Sequence, residues 1–242
     1  MKARGFTLIE MIISIIIVAI IALGITGFVD FGTRGFAQTV ERQKLHTQAQ
    51  FVLQKLSREL RHAVPNSIDI NGDCFSFYPI KYSGFYHVTG ISLPYQLDFI
   101  SGQDLLPSQY GDDEFMIINP TSQPYIDDTN NQVSLKDVTV SSAQSSVSIN
   151  QPLSSESVAN RHYITEKKYI YKYDSANQVL NRMDGTCDSG LAVPVADSIK
   201  SFSVSYFQPN LVRGGLVHID MVMVYNEEQA SYQQEVQVLN VP

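Results

Sequence analysis

The most unusual chemical group in this sequence is the carboxylate of Glu10, which immediately precedes a long apolar run. Residues 11–29 contain no charged side chain. As a helix rising about 1.5 Å per residue, this run would cover about 28 Å, close to the hydrocarbon thickness of a bilayer. A carboxylate costs about 2.5–3.5 kcal/mol at the centre of such a span and less near its end. We therefore expect Glu10 to have a partner, as ionisable groups in membranes usually do.

A second interpretation of Glu10 needs no partner. The residue lies about one turn into the apolar helix, so its side chain could extend to the lipid headgroups. Glu10 alone does not distinguish the two interpretations.

The charges on either side of the apolar run predict its orientation in a membrane. Lys2 and Arg4 precede it, and Asp30 is the first charged residue after it. The positive-inside rule places residues 1–4 in the cytoplasm and the chain beyond Asp30 across the membrane.

Residues 2–10 read KARGFTLIE, directly before the apolar run. This segment resembles the class III signal of type IV pilins and related pseudopilins. The resemblance implies that a prepilin peptidase cuts after Gly5 and that Phe6 becomes the new, N-methylated terminus. It also implies that Glu10 meets the amine of Phe6 on a neighbouring subunit. The physics agrees, because a buried carboxylate is stabilised by a cation and a newly cut chain end supplies one.

The same resemblance implies a domain organisation, a location and a set of partners. Residues 1–5 are the leader, 6–29 the transmembrane segment, 30–65 the periplasmic part of a spine helix, and 66–242 a β-rich head. The chain is expected to cross the bacterial inner membrane once and later to be extracellular in a pilus. The implied partners are other major and minor pilins, the prepilin peptidase, the inner-membrane assembly machinery and membrane lipid.

Two other kinds of N-terminal segment explain these residues less well. A secretory signal peptide could be cut near Gly24, but the run is longer than a usual apolar core and Glu10 has no place in it. A plain signal anchor for a periplasmic enzyme explains the length but neither Gly5 nor Glu10.

Three later segments narrow the resemblance to minor pilins of the mannose-sensitive haemagglutinin (MSHA) pilus system. They are residues 58–67 (RELRHAVPNS), 74–80 (CFSFYPI) and 238–242 (VLNVP). The implied role is a minor pilin at or near the pilus tip that helps to start assembly and surface attachment. J-type pseudopilins of type II secretion have a similar layout and are an alternative. A further alternative is an adhesin-like binding module in the polar region of about residues 80–163.

Composition argues against nucleic acid as the main partner. The net charge of −7 becomes −9 once Lys2 and Arg4 leave with the leader, and no Lys/Arg cluster stands out.

The chain has two cysteines, Cys74 and Cys187, both on the side of the membrane where disulfides persist. We expect them to be bridged, and the alternative is two buried free thiols.

Helical periodicity continues beyond the span. Apolar residues recur at three- and four-residue steps as Leu45, Ala49, Val52, Leu56, Leu60 and Ala63. Pro65 ends this pattern, so one helix is expected over about residues 6–64. Glycines at 24, 27, 32 and 35 weaken its middle or permit close helix approach, and the pilin resemblance adds local loosening in a fibre.

The pattern after Pro65 indicates β structure. Short strands are expected at residues 73–79, 95–100 and 114–118, with loops at 103–113 and 119–131 and weak alternation at 133–149. A hairpin is expected over residues 169–182, followed by alternating strands at 201–206, 217–225 and 233–238. An antiparallel sheet covered by the apolar stripe of the helix gives an α+β type IV pilin fold with an enlarged loop- and strand-rich middle region.

No pattern in the sequence predicts catalysis, a metal or a cofactor. The histidines at 46, 62, 87, 162 and 218 lack ligand spacing, and no phosphate-loop, zinc-protease or serine-hydrolase motif is present. Acidic loops at residues 112–114 and 127–128 could hold calcium, but the EF-hand spacing is absent. We therefore expect a protein that is not an enzyme, and a membrane-anchored enzyme or sensor is the least favoured reading.

Overall fold

In a computed structural model, the described residues are 5–102, 110–111, 113–141, 144–209, 214–226 and 228–238. The helices are α1 (Leu8–Arg61) and α2 (Gln123–Asp127), with a 3-10 turn at Thr129–Asn131. The strands, in chain order, are β1 (Asp69–Asn71), β2 (Cys74–Phe77), β3 (Tyr82–Thr89), β4 (Tyr95–Ser101), β5 (Phe115–Ile118), β6 (Gln132–Ser134), β7 (Thr139–Ser141), β8 (Gln144–Ile149), β9 (Arg161–Thr165), β10 (Tyr169–Asp174), β11 (Val179–Gly185), β12 (Gly190–Ala196), β13 (Ile199–Phe207), β14 (Gly215–Tyr225) and β15 (Glu228–Val238).

Helix α1 has 54 residues and is about 80 Å long. It begins two residues later than expected, because Thr7 is extended and caps it from outside. It ends at Arg61, three residues earlier than expected, since Val64 instead donates its N–H to the Tyr78 carbonyl. The helix continues through all four glycines.

The two halves of α1 have different surroundings. Its first half is exposed and apolar, and α1 is long and apolar enough to cross a membrane by length and composition. Its second half packs against β15, β14 and β12. The predicted apolar stripe from Leu45 to Ala63 is buried there, which confirms that interpretation.

Two antiparallel sheets share this core with α1. One has the order β1-β2-β10-β11-β12, and the other is the meander β13-β14-β15. Their side chains meet α1 in one cluster that includes Phe75, Tyr171, Phe202 and Ile219. The α+β type IV pilin fold expected from the sequence is therefore present, with the predicted hairpin as β10–β11.

A third sheet lies between β2 and β10 in the chain. It has seven strands in the order β6-β5-β9-β3-β4-β8-β7 and its own core around Leu97, Phe99 and Met116. Because β2 and β10 are hydrogen-bonded neighbours, residues 80–168 form an insertion into the first sheet, here called the inserted module. Its two ends are joined by a bond from the Lys81 N–H to the Ile164 carbonyl, 2.8 Å long.

The inserted module corrects several expectations. The sequence predicted one antiparallel sheet, whereas three are observed, and β1, β3, β9 and β12 were not predicted at all. The loop expected at residues 119–131 contains α2, which Ser122 caps and which buries Ile126. Of the loop expected at 103–113, residues 103–109 and 112 lie outside the described residues, as do residues 239–242 of the terminal segment.

Candidate functional site

The candidate site is the start of α1, where Thr7 and Glu10 form an N-cap. The Glu10 N–H donates to Thr7 Oγ1 at 3.4 Å, and the Thr7 hydroxyl donates to Glu10 Oε2 at 3.5 Å. This is the spacing of a capping box, in which Ser or Thr at the N-cap is followed by Glu or Gln at the third helical position. The carboxylate therefore lies at the positive end of the helix dipole, where a negative charge is stabilised.

The residues before this cap are open to solvent. Phe6 is 74% exposed, and no atom in the described part of the chain lies within 4 Å of a methyl group placed on Gly5. The bond between Gly5 and Phe6 is therefore accessible to an enzyme. Residues 1–4, including Lys2 and Arg4, lie outside the described residues.

Glu10 makes few contacts within a single chain. Among the described residues, its carboxylate has a hydrogen bond only with Thr7, and the residue is exposed. Ser14 donates to the Glu10 carbonyl at 2.7 Å, which leaves the carboxylate unaffected. Glu10 thus also has a local role in capping α1, which the Sequence analysis did not predict, although the T-x-x-E spacing is typical of a capping box. Most of the carboxylate's bonding capacity is left for another molecule.

The apolar surface behind Glu10 covers every side of α1. Exposed large apolar residues continue from Leu8 to Val29 and beyond to Phe31 and Phe36. Asp30 and Arg34 form an exposed ion pair of 3.0 Å at the end of the uncharged run. Such a surface requires lipid or neighbouring apolar helices, because this much exposed apolar area is unstable in water.

A polar cluster fixes the other end of α1 to the first sheet. The Tyr171 hydroxyl donates to the Glu59 carboxylate, which also pairs with Lys55 at 2.7 Å. Burial raises the pKa of Tyr171, and its hydrogen bond to Glu59 raises it further. The Arg182 guanidinium lies 3.8 Å from the centre of the Tyr169 ring. No pattern in the sequence indicated this cluster.

Cys74 and Cys187 form a disulfide, with their Cα atoms 6.1 Å apart. Cys74 is buried in β2, and Cys187 lies in the turn between β11 and β12. Lys172 also donates to the Cys187 carbonyl at 2.8 Å. The turn is thus held against the first sheet at two points.

The acidic loops have partners within the chain. Asp127 accepts hydrogen bonds from Tyr78 at 2.9 Å and Lys168 at 2.7 Å, and Asp128 caps the following 3-10 turn. Glu114 pairs with Lys81, and Asp112 lies outside the described residues. Within the described ranges, no group of three or more His, Cys, Asp or Glu side chains could hold a metal ion.

The histidines have separate surroundings. His46 contacts Gln50, His62 is the C-cap of α1, His87 is exposed, His162 is buried, and His218 lies between Asp220 and Glu235. Each occupies its own part of the fold, so they assemble no common site.

Comparison with known proteins identifies the N-terminal segment. Residues 1–26 match the family described as "Prokaryotic N-terminal methylation motif". No curated protein and no solved structure matches the chain. The chain therefore has a type IV prepilin-like N-terminus ahead of a long apolar helix, and this motif supports a pilin or pseudopilin role.

Proposed function

We propose that this chain is a structural subunit of a type IV pilin-like fibre, processed after Gly5, methylated at Phe6 and held in the inner membrane before assembly. The observation that carries the proposal is the Glu10 carboxylate, placed at the start of an exposed apolar helix and one turn beyond an accessible Gly5–Phe6 bond. The match of residues 1–26 to the methylation motif supports the same reading.

The physical basis of assembly is charge pairing in an apolar environment. Cleavage after Gly5 creates an amine at Phe6 and removes Lys2 and Arg4. When helices pack side by side, the Glu10 carboxylate of one subunit neutralises the Phe6 amine of another. The pairing also sets the register between the helices, because a displaced helix would leave both charges unpaired, at a cost of several kcal/mol.

The proposed boundaries follow from the same scheme. Residues 1–5 form the leader, 6–29 cross the membrane, 30–65 continue the spine, and 66–242 form the periplasmic head. The second half of α1 shares one hydrophobic core with the two smaller sheets. This supports a head domain that packs against the spine helix of the same chain. The exposed first half of α1 supports a segment that lies in lipid before assembly and among other helices afterwards.

The finer proposal is a minor pilin of an MSHA-type system, closest to its O component, at or near the pilus tip. The three segments at residues 58–67, 74–80 and 238–242 support it. The inserted module also supports it, since a subunit at the end of a fibre has room for a large head. A J-type pseudopilin of type II secretion is the alternative. Loss of secretion rather than loss of pili in a deletion strain would establish the alternative.

A second candidate function is an adhesin-like binding role for the inserted module. The observation that favours it is topological: residues 80–168 leave and re-enter the first sheet at adjacent strands, so the pilin part is complete without them. A strain without the chain distinguishes the roles. Loss of pili indicates assembly, whereas intact pili that no longer attach indicate binding.

Co-purification with sheared fibres tests the subunit role directly. We expect a tagged chain to appear in the sheared fraction of a wild-type strain and to remain in the membrane of a strain that lacks the prepilin peptidase. A chain that stays in the membrane of both strains is not a fibre subunit.

A further inference from the structure

The inserted module contains a cavity of about 380 Å³ on strands β3, β4 and β9. Its wall includes Phe85 and Ile100, which are 53% and 51% exposed. Phe85 lies opposite Ile100 in β4 and opposite Arg161 in β9, so the three side chains share one face of the sheet. The cavity thus combines an apolar wall with a cation, and its volume lies within the range typical of small-ligand sites.

Glycine shapes the floor of this cavity. A methyl group on Gly84 would lie 1.8 Å from the Ile100 carbonyl oxygen, so only glycine permits β3 and β4 to approach this closely. Gly102 also lines the cavity and adds no side chain. The open space beside Phe85 is left by Gly102, whereas Gly84, whose side-chain position faces the other side of β3, allows β3 and β4 to approach closely.

Arg161 is positioned but not neutralised. Its guanidinium hydrogen-bonds the Tyr163 hydroxyl, and it opposes the rise in the pKa of Tyr163 that burial causes. No carboxylate forms an ion pair with Arg161 in the described part of the chain. By contrast, Lys81, Lys167 and Lys168 are paired with Glu114, Asp184 and Asp127.

The Arg161 guanidinium lies in a head domain whose net charge is strongly negative. Residues 66–242 contain 9 Lys and Arg against 20 Asp and Glu. Arg161 is half-buried and has no carboxylate partner among the described residues, so in this acidic head it is a suitable site for an external anion. Guanidinium binds a carboxylate through two parallel hydrogen bonds, which fixes the orientation of the ligand.

We propose that this cavity binds a carboxylate carried on a compact apolar body, with Arg161 contacting the carboxylate and with Phe85 and Ile100 contacting the body. The ligand is either a free organic acid or the C-terminal carboxylate of a peptide chain that ends in an apolar residue. The proposal rests on the binding role of the inserted module and is independent of fibre assembly.

Titration of the mature, detergent-solubilised chain tests the proposal, with the Ile100 methyl resonance as the reporter. Benzoate carries both features, benzamide only the ring and acetate only the charge. We expect benzoate to shift the resonance at concentrations at which the other two have no effect. Equal binding of benzamide, equal binding of acetate, or no binding of benzoate would each overturn the proposal.

N-acetylphenylalanine and its amide distinguish the two sources of the carboxylate. Tighter binding of N-acetylphenylalanine than of benzoate assigns the site to a chain terminus, and the reverse order assigns it to a free acid. In both cases the amide is expected not to bind, and an amide that binds as well as its acid contradicts the proposal.

Single substitutions test which residues bind the carboxylate and the apolar body. Arg161→Gln keeps a hydrogen-bond donor but removes the charge, so benzoate affinity should fall about ten- to a hundredfold. Phe85→Leu should weaken it by a smaller factor. Lys136→Gln, which removes an exposed cation elsewhere in the module, is the matched control and should bind as wild type. Unchanged benzoate affinity in Arg161→Gln would overturn the proposed carboxylate site. The binding role of the inserted module is tested separately, since loss of attachment in the deletion strain would still support a binding role elsewhere in the module.

Discussion

The Tyr171 hydroxyl donates a hydrogen bond to the Glu59 carboxylate, joining β10 in the middle of the first sheet to the last turn of α1. The side chain of Glu59 is 17% exposed and also pairs with Lys55. Helix and sheet are thus connected by a charge-assisted bond as well as by apolar packing.

Tyr171→Phe should lower the free energy of unfolding by about 1.5–3 kcal/mol, because it removes a hydrogen bond to a charged group that is largely buried. Denaturant unfolding of the detergent-solubilised chain measures this. Tyr232→Phe, at a half-buried tyrosine of β15, is the control and should cost less. Equal costs would show that the bond to Glu59 contributes little.

Removing the disulfide should destabilise the head by up to about 4–5 kcal/mol, because Cys74 and Cys187 are 113 residues apart and the bond restricts the unfolded chain. Comparison of the Cys74→Ser/Cys187→Ser double variant with wild type, unreduced and reduced, measures the effect. Reduced wild type should resemble the variant. Two reactive thiols in denatured, unreduced wild-type protein would contradict the pairing.

The head should lose stability in mild acid through His162. This imidazole is 0% exposed, and burial lowers its pKa to about 4, while a hydrogen bond with the Phe85 backbone opposes part of that shift. An unfolded histidine has a pKa of about 6.5, so the unfolded chain binds the proton first. The contribution is complete above about pH 6.5 and is lost as the pH falls toward 4, by about 2 kcal/mol between pH 7 and pH 5.

Unfolding curves at a series of pH values test this dependence. His162→Phe keeps an aromatic ring against Phe99 and should flatten the profile between pH 7 and pH 5. His87→Gln, at an exposed histidine, should leave the profile unchanged. A profile that stays steep in His162→Phe would assign the effect to other groups.

Glu10→Gln separates the two roles of Glu10. Glutamine satisfies a capping box as glutamate does, but it has no charge to pair with an amine. We expect normal processing and membrane insertion but impaired incorporation into fibres, because losing one partner of a buried pair costs about 3–5 kcal/mol. Ser14→Ala, which affects only a bond to the Glu10 carbonyl, is the control.

The readout is the amount of each variant in sheared fibres and its cross-linking to neighbours. Wild-type incorporation of Glu10→Gln together with cross-links to a subunit ahead of it would contradict charge pairing. Wild-type incorporation without such cross-links is the expected behaviour of a subunit at the extreme tip, where Glu10 has no amine to meet.

The sequence predicted those parts of the fold that depend on local patterns. The Leu45–Ala63 stripe and the alternation of Val217, Ile219, Met221 and Met223 are visible in the residues themselves, and all of these side chains are buried. The hairpin β10–β11 has its turn residues between two aromatic and apolar runs. In each case the signal is a regular repeat of apolar residues or a turn between two neighbouring runs, and it can be read without knowing the packing partner.

The inserted module could not be predicted in the same way. Gly84 pairs with His162 across almost eighty residues, and no local signal marks that pairing. In β3 the apolar Phe85 lies on an exposed face, which obscures the alternation. Helix α2 is only five residues long, too short for helical periodicity, although Ser122 and Pro124 are typical of a helix start.

Mass spectrometry of the mature N-terminus tests the central claim most directly. The chain purified from membranes or fibres should begin at Phe6 with a methylated amine and lack residues 1–5. A Gly5→Val variant should retain them, because the peptidase must approach the backbone at that bond. A wild-type chain that begins at Met1 or near Ile25, or a Gly5→Val chain that is still shortened to Phe6, would contradict the assignment of this protein as a pilin-like subunit.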